Sequence, residues 1–233
     1  MLHQIKFGSR SIVFNLEHKK RKSLGIKVHP DNHVEVLAPF GAKEEKILEK
    51  VKEKAPWILK QIDHFNSYKP ATPKRRFING ETHLYLGRQY RLKIVPDSKN
   101  IIKAYRGQLW MHTIDTKQDA LKLQLDKWYK QNATIVFNEL LEEVFPKFNR
   151  YKIKKPSLSI RYMSKRWGSC TSTGKIILNT ELIKAPKGSI EYVIVHELSH
   201  LVHHNHKKAF QSLQLRILPD WEKRKNRLEC MLL

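Results

Sequence analysis

Over residues 10–40 apolar and polar residues alternate in short stretches, and over 43–65 they shift to helical spacing. Ser11–Phe14 and Leu24–Val28 read as strands on either side of a basic turn, His18–Lys22. His29–Asn32 reads as a turn, and Val34–Leu37 as another strand. Ile47, Val51, Ile58 and Ile62 give residues 43–65 a helical stripe, which Pro56 either restarts or kinks. Residues 66–76, with two prolines and the run Lys74-Arg75-Arg76, read as a linker or exposed loop. Strands return over 77–113, the longest spanning Leu84–Ile94 and another Gln108–Met111. A long amphipathic helix follows over 116–147, with Leu121, Leu125, Trp128, Ala133, Val136, Phe137 and Leu140 near its apolar side and Pro146 closing it. Two strands, 157–163 and 175–179, surround the turn Thr171–Gly174. A helix after Pro186 and a last helix over 207–217 complete the pattern, with a basic segment, Lys223–Arg227, near the C-terminus. The expectation is an α+β chain: a β-rich N-terminal lobe with one helix over 1–113 and a helical lobe over 114–233, the two together forming one unit.

The helix after Pro186 carries the chemistry. Ile190, Val193, Ile194, Leu198 and Leu201 repeat at helical spacing, and His196 and His200 fall off that stripe. With Glu197 they form H-E-x-x-H. Histidines four apart lie on one helix face and reach one ion, and the glutamate beside them can take a proton from the attacking water. The chain holds 12 His, so a histidine pair alone is weak. The apolar face opposite the imidazoles makes the pair a cleft feature rather than a solvated histidine-rich surface.

The third ligand requires a turn. On a straight helix His203 would lie about 10 Å along the axis from His196, too far to share an ion whose bonds to nitrogen are about 2.0–2.1 Å. Asn205 tolerates the left-handed conformation that ends helices, and His206 follows it. His206 is therefore preferred over His203 and His204, with Glu222, on a later helix, as the runner-up that would give a two-His, one-Glu site. Three protein ligands leave one position of a Zn²⁺ site for water.

Composition then bounds the partners. Lys plus Arg is 45 against 22 Asp plus Glu, a net charge of +23. That favours polyanions such as DNA, or acidic proteins. The segments Lys74-Arg75-Arg76-Phe77 and Lys165-Arg166-Trp167 set aromatics beside cations, a combination suited to single-stranded nucleic acid. No apolar run has the length of a membrane span and no signal-peptide pattern is seen. Two cysteines, Cys170 and Cys230, are too few for a disulfide framework and fit free thiols in the cytoplasm.

The segments Arg161–Cys170 (with Arg-Trp-Gly-Ser-Cys at 166–170), Ile176–Asn179 and the H-E-x-x-H helix together resemble the YgjP-like predicted metal-dependent hydrolases, relatives of the SprT-like zinc metalloproteases. Arg21–Leu24, Ala38-Pro39, Trp57-Ile58, Tyr85–Arg88 and Trp128-Tyr129 extend the likeness from about residue 10 to the end. The resemblance implies a zincin-like catalytic lobe over 114–233, a metal on His196, His200 and His206 with Glu197 as base, and a protein or peptide substrate. SprT-like relatives cleave proteins bound to DNA. Arg166, Trp167 and Asn179 are candidates to line the cleft. The alternative for the first two is structural, with Trp167 packed in the core and Arg166 bridging a loop. The strand 175–179 is expected to pair with an extended peptide as an edge strand. The competing class is a basic nucleic-acid-binding protein with a non-catalytic zinc site.

Overall fold

The computed structural model describes residues 2–21, 23–29, 32–66, 75–164, 166–171 and 173–232. The chain divides into two compact units, Met1–Thr72 and Pro73–Leu232. Lys74 and most of the loop read over 66–76 lie outside the described residues, as do Pro30 and Asp31 of the expected turn, Lys22, Ser172, and Lys165 of the basic-aromatic cluster.

In the first unit, strands β1 (Leu2–Phe7), β2 (Arg10–Lys19), β3 (Gly25–Val28) and β4 (Val34–Pro39) form one sheet in the order β1-β2-β4-β3. The pair β2–β4 is parallel, and the pairs at either edge are antiparallel. The inward positions Ile12, Phe14, Leu16, Val34 and Val36 form a core with Ile47, Val51 and Ile58 of helices α1 (Glu44–Glu53) and α2 (Ala55–Asn66). The helical stripe is thus broken at Lys54. Pro56 sits in the first turn of α2, where a missing N–H costs nothing. The sequence reading omitted β1, whose inward Ile5 adds to the same core.

The second unit opens with a four-stranded sheet, β5 (Thr82–Tyr85), β6 (Arg88–Pro96), β7 (Ile101–Tyr105) and β8 (Gln108–Thr113), in the order β5-β6-β8-β7. The strand expected over Leu84–Ile94 is a hairpin. Leu86 and Gly87 both have positive φ (48° and 77°), the geometry of a two-residue turn that matches strand twist. This sheet buries Leu92, Leu109 and Met111 against Leu121, Leu125 and Tyr129 of helix α3 (Gln118–Val144). The compact unit therefore includes residues 77–113, which the sequence reading assigned to the N-terminal lobe. Their apolar face has its partner in α3.

After a 3-10 segment, Phe145–Tyr151, a small sheet forms from β9 (Leu158–Arg161), β10 (Gly168–Cys170) and β11 (Ile176–Asn179), ordered β10-β11-β9. A 3-10 turn, Thr180–Lys184, leads into helix α4 (Lys187–His200), followed by α5 (Lys208–Ile217) and α6 (Trp221–Leu232). α5 is therefore not the last helix, because the basic segment 223–227 is helical too. The hairpin tip fixes the entry to α4: Leu86 N–H donates to Ile183 O (2.9 Å) and Gly87 N–H to Lys184 O (3.0 Å). A Cβ on Gly87 would come within 2.7 Å of the Pro186 ring. The contact needs glycine for both space and φ.

Candidate metal centre and active site

Helix α4 is apolar nearly all round, with Ile190, Tyr192, Val193, Ile194, Val195 and Leu198 buried. Such a helix belongs in an interior, and α4 packs against α3, α5, α6 and β10. The buried hydroxyl of Ser199 donates to Val195 O at 2.7 Å. The helix stops at His200. The N–H groups of Leu201 and Val202 turn back to Leu198 O and Ser199 O, tightening the last turn.

The return is not made as the sequence reading had it. Asn205 has no positive φ, and the reversal begins at Leu201. Asn205 instead accepts the Lys207 N–H on its side-chain oxygen (3.3 Å), an Asx turn that leads into α5. The outcome is nonetheless convergence. His206 Nε2 lies 3.1 Å from His196 Nε2, and one ring nitrogen from each of His196, His200 and His206 lies within 4.8 Å of the others. Glu222 is in the first turn of α6 and does not join this group. His204 lines the cleft, but neither it nor His203 belongs to the cluster.

Phe210 of α5 is the floor. Its ring, 1% exposed, lies 4.8–5.1 Å from the centroids of all three imidazoles. One turn further along, the buried side chain of Gln214 reaches His196 Nδ1, its amide nitrogen at 3.3 Å. Turned over, the same amide offers its oxygen to an Nδ1–H, which leaves Nε2 free to ligate. The sequence reading missed Gln214. The available sign was a polar residue in register with Phe210, Leu213 and Ile217 on the buried side of α5.

Glu197 is 5% exposed and faces the cleft. Burial pushes its carboxyl up to about 7, against the lowering effects of the Arg166 guanidinium and of the Cys170 backbone N–H bonded to it. Burial also drives His196 down to about 4, helped by the neighbouring His200 and His206, so its imidazole is neutral at pH 7. His200 shifts in the same direction for the same first reason. Neutral imidazoles are the form that ligates. Desolvation and then Glu197 push the Cys170 thiol up, which disfavours a thiolate nucleophile.

The cleft encloses about 670 Å³ and is walled on one side by β10. Here the edge-strand expectation is corrected. Strand 175–179 is β11, the centre of its sheet, paired on both sides and unable to take a further strand. β10 is the edge. Trp167 and Thr171, on either side of it, pair inward with Asn179 and Lys175. By antiparallel alternation Gly168 and Cys170 turn their backbone groups away from β11. The Cys170 N–H is the one spent on Glu197. Gly168 is a necessity of space, since a Cβ there would meet Glu197 Oε1 at 2.5 Å.

Of the remaining assigned residues, Arg166 is exposed and lines the cleft, its Nη1 3.5 Å from Ser169 Oγ. Trp167 packs against the main core, and Asn179 is buried at 3% exposure. The Asn179 amide donates to Met163 O (2.6 Å) and Arg166 O (3.0 Å), so it shapes the loop that carries Arg166. Arg76 is exposed. Its N–H and that of Phe77 are capped by Glu81, and the structure does not bring this segment into the cleft.

Three imidazoles converging beside a buried carboxylate, with a strand edge along the same cleft, place the molecule among metal-dependent peptidases. The chain belongs to the YgjP-like family: the YgjP-like, metallopeptidase domain matches residues 22–230. No curated protein matches the chain. Among the described residues, no helix is long and apolar enough to cross a membrane.

Proposed function

We propose that the protein is a zinc-dependent peptidase in which His196, His200 and His206 hold the ion and Glu197 is the general base. The observation that carries this reading is a carboxylate, 5% exposed, next to three imidazole nitrogens that lie within 4.8 Å of one another. The donor set fits zinc. Two ligand nitrogens on a tetrahedral ion stand ~3.3 Å apart, close to the 3.1 Å between His196 and His206. Three nitrogen ligands leave a position open, as catalytic sites require. When bound, the ion supplies Lewis-acid chemistry, making water more acidic and polarising the scissile carbonyl.

The chain's own groups do the rest. Glu197, raised toward neutrality, accepts the proton of the attacking water and hands it to the leaving amine. The Cys170 N–H holds that carboxylate in place. Outward backbone groups of β10 pair with an extended peptide and so present its carbonyl. Arg166 at the cleft supplies N–H donors to the substrate backbone or to an acidic side chain. The +23 charge supports substrates or companions that are acidic, proteins bound to DNA among them. The two free thiols support a reducing, cytoplasmic setting.

The test is to load the protein with one equivalent of zinc and incubate it with an unstructured protein such as reduced casein. Cleavage should stop with a chelator and return with added zinc. Cleavage that persists after the metal is stripped would contradict the reading.

A further inference from the structure

The outer face of the sheet β5–β8 has no role in the cleft chemistry, and its composition is unusual. The four strands contain no Asp or Glu. Their core face is apolar (Leu92, Leu109, Met111), and on the other face Arg91, Lys93, Lys103 and Tyr105 are exposed while Gln108, Trp110 and His112 are half-buried. The pairing register sets out three rows on it. Lys93, Trp110 and Lys103 form one row; Arg91, Gln108 and Tyr105 the next; Val95, His112 and Ile101 the third. An indole thus stands between two lysines, with a phenol beside it on the neighbouring row. Lys93 Nζ lies 4.0 Å from the Trp110 ring centroid, and the Arg106 guanidinium 5.0 Å from that of Tyr105. Tyr105 is 58% exposed and Ile101 41%. Among the described residues, Arg91, Lys93, Lys103 and Arg106 have no carboxylate partner. Asp97 follows the end of β6 and is engaged by His112 at 2.8 Å.

We infer that this face binds single-stranded nucleic acid, bases stacking on Tyr105 and Trp110 and phosphates meeting Arg91, Lys93, Lys103 and Arg106. Charge complementarity selects a polyanion, and the aromatics decide which one. An acidic protein can meet the cations but offers rings only where its sequence happens to place them, whereas in a nucleic acid every phosphate comes with a base that has a face to stack. A duplex hides its base faces, so the strand must be single. Neighbouring strands lie about 4.8 Å apart, so a row of three spans about 10 Å. Open four-stranded sheets with aromatics on their face stack about two or three bases. Sugar-specific contacts are not visible here, so DNA and RNA share the chemistry that is. The inference stands on the sheet alone and survives failure of the peptidase reading, because no residue of the face is a proposed ligand or base.

The experiment is fluorescence anisotropy with labelled oligothymidylate and oligouridylate of about 12 nucleotides, using the full chain with and without zinc. Binding should steepen as salt falls. Arg91→Ala with Lys103→Ala should flatten the log–log salt slope by about 1.4, two phosphate contacts at about 0.7 each. Tyr105→Ala, a change at an exposed position, should weaken binding roughly tenfold, and Tyr105→Phe should restore it. Arg75→Ala with Arg76→Ala should leave the Tyr105 effect intact. Three results would overturn the inference: no binding at low salt, equal binding of polyglutamate with no dependence on Tyr105, or loss of binding only with the Arg75 and Arg76 changes.

Discussion

Glu197 is a carboxylate whose surroundings resist its ionisation, and this has a consequence measurable without substrate. Its carboxyl is raised from 4.5 to about 7, chiefly by burial. The metal-free folded chain therefore keeps a proton that the unfolded chain releases above about pH 4.5. The associated stability is fully present below that pH and is lost as pH rises through 7. We expect Glu197→Gln to stabilise the metal-free protein at pH 8 by about 2–3 kcal/mol, with the gap closing by pH 4; denaturant unfolding at the two pH values checks this. For the ligands, His206→Ala should weaken zinc binding far more than His203→Ala or His204→Ala, as read by competition with a chromophoric chelator. The reverse order would contradict the cluster seen here. These residues were legible in the sequence because four-residue spacing on a helix has one geometric meaning and because a third imidazole had to come from beyond a turn. The mechanism of that turn was not legible. Asn205 was read as a left-handed helix end, whereas its side chain makes an Asx turn, and the sequence pattern is the same for both. Gln214 escaped notice because a single glutamine on an apolar stripe looks like an irregularity until its partner across the fold is known.

At the scale of elements, the site is an assembly of one helix, one edge strand and one floor. α4 supplies two imidazoles and the carboxylate, β10 pins the carboxylate through a backbone N–H, and α5 raises Phe210 under the rings. Each contact is open to a specific change. Gly168→Ala would press a methyl group into Glu197. We expect zinc content to hold while hydrolysis drops by about 10²-fold, the scale of a displaced catalytic group. Phe210→Ala should cost about 3–5 kcal/mol of stability and weaken zinc binding as well, since all three imidazoles rest on that ring; thermal unfolding and metal titration read the two effects separately. The long helices were legible from period alone. The small sheet was not. β10 has three residues, Gly-Ser-Cys, too few to show alternation, and it is a strand only because β11 lies beside it. For the same reason the edge was assigned to the wrong strand: order within a sheet depends on contacts distant in sequence. The hairpin at Leu86-Gly87 was read as continuous strand because leucine seldom adopts positive φ, and two backbone bonds to the turn before α4 hold it there.

For the molecule as a whole, the second unit brings together two surfaces of different character. One is a cleft whose only buried carboxylate, among the described residues, is Glu197. The other is an acid-free sheet face with aromatics set between cations. The sequence reading drew its two lobes at residue 113, where strands give way to a long helix, whereas the compact unit begins at Pro73. What decides membership is the partner of the apolar face, here α3. Because the acid-free sheet face and the histidine cluster share no residue, the two proposed activities should separate by mutation, the sheet variants keeping zinc and hydrolysis. The most direct test of the central claim compares zinc-loaded wild type with zinc-loaded Glu197→Gln on the same unstructured protein, with metal content measured in both. Equal zinc and a fall in hydrolysis of about 10²–10⁴-fold is the expected result; equal zinc with equal hydrolysis would contradict the assignment of Glu197 as the base.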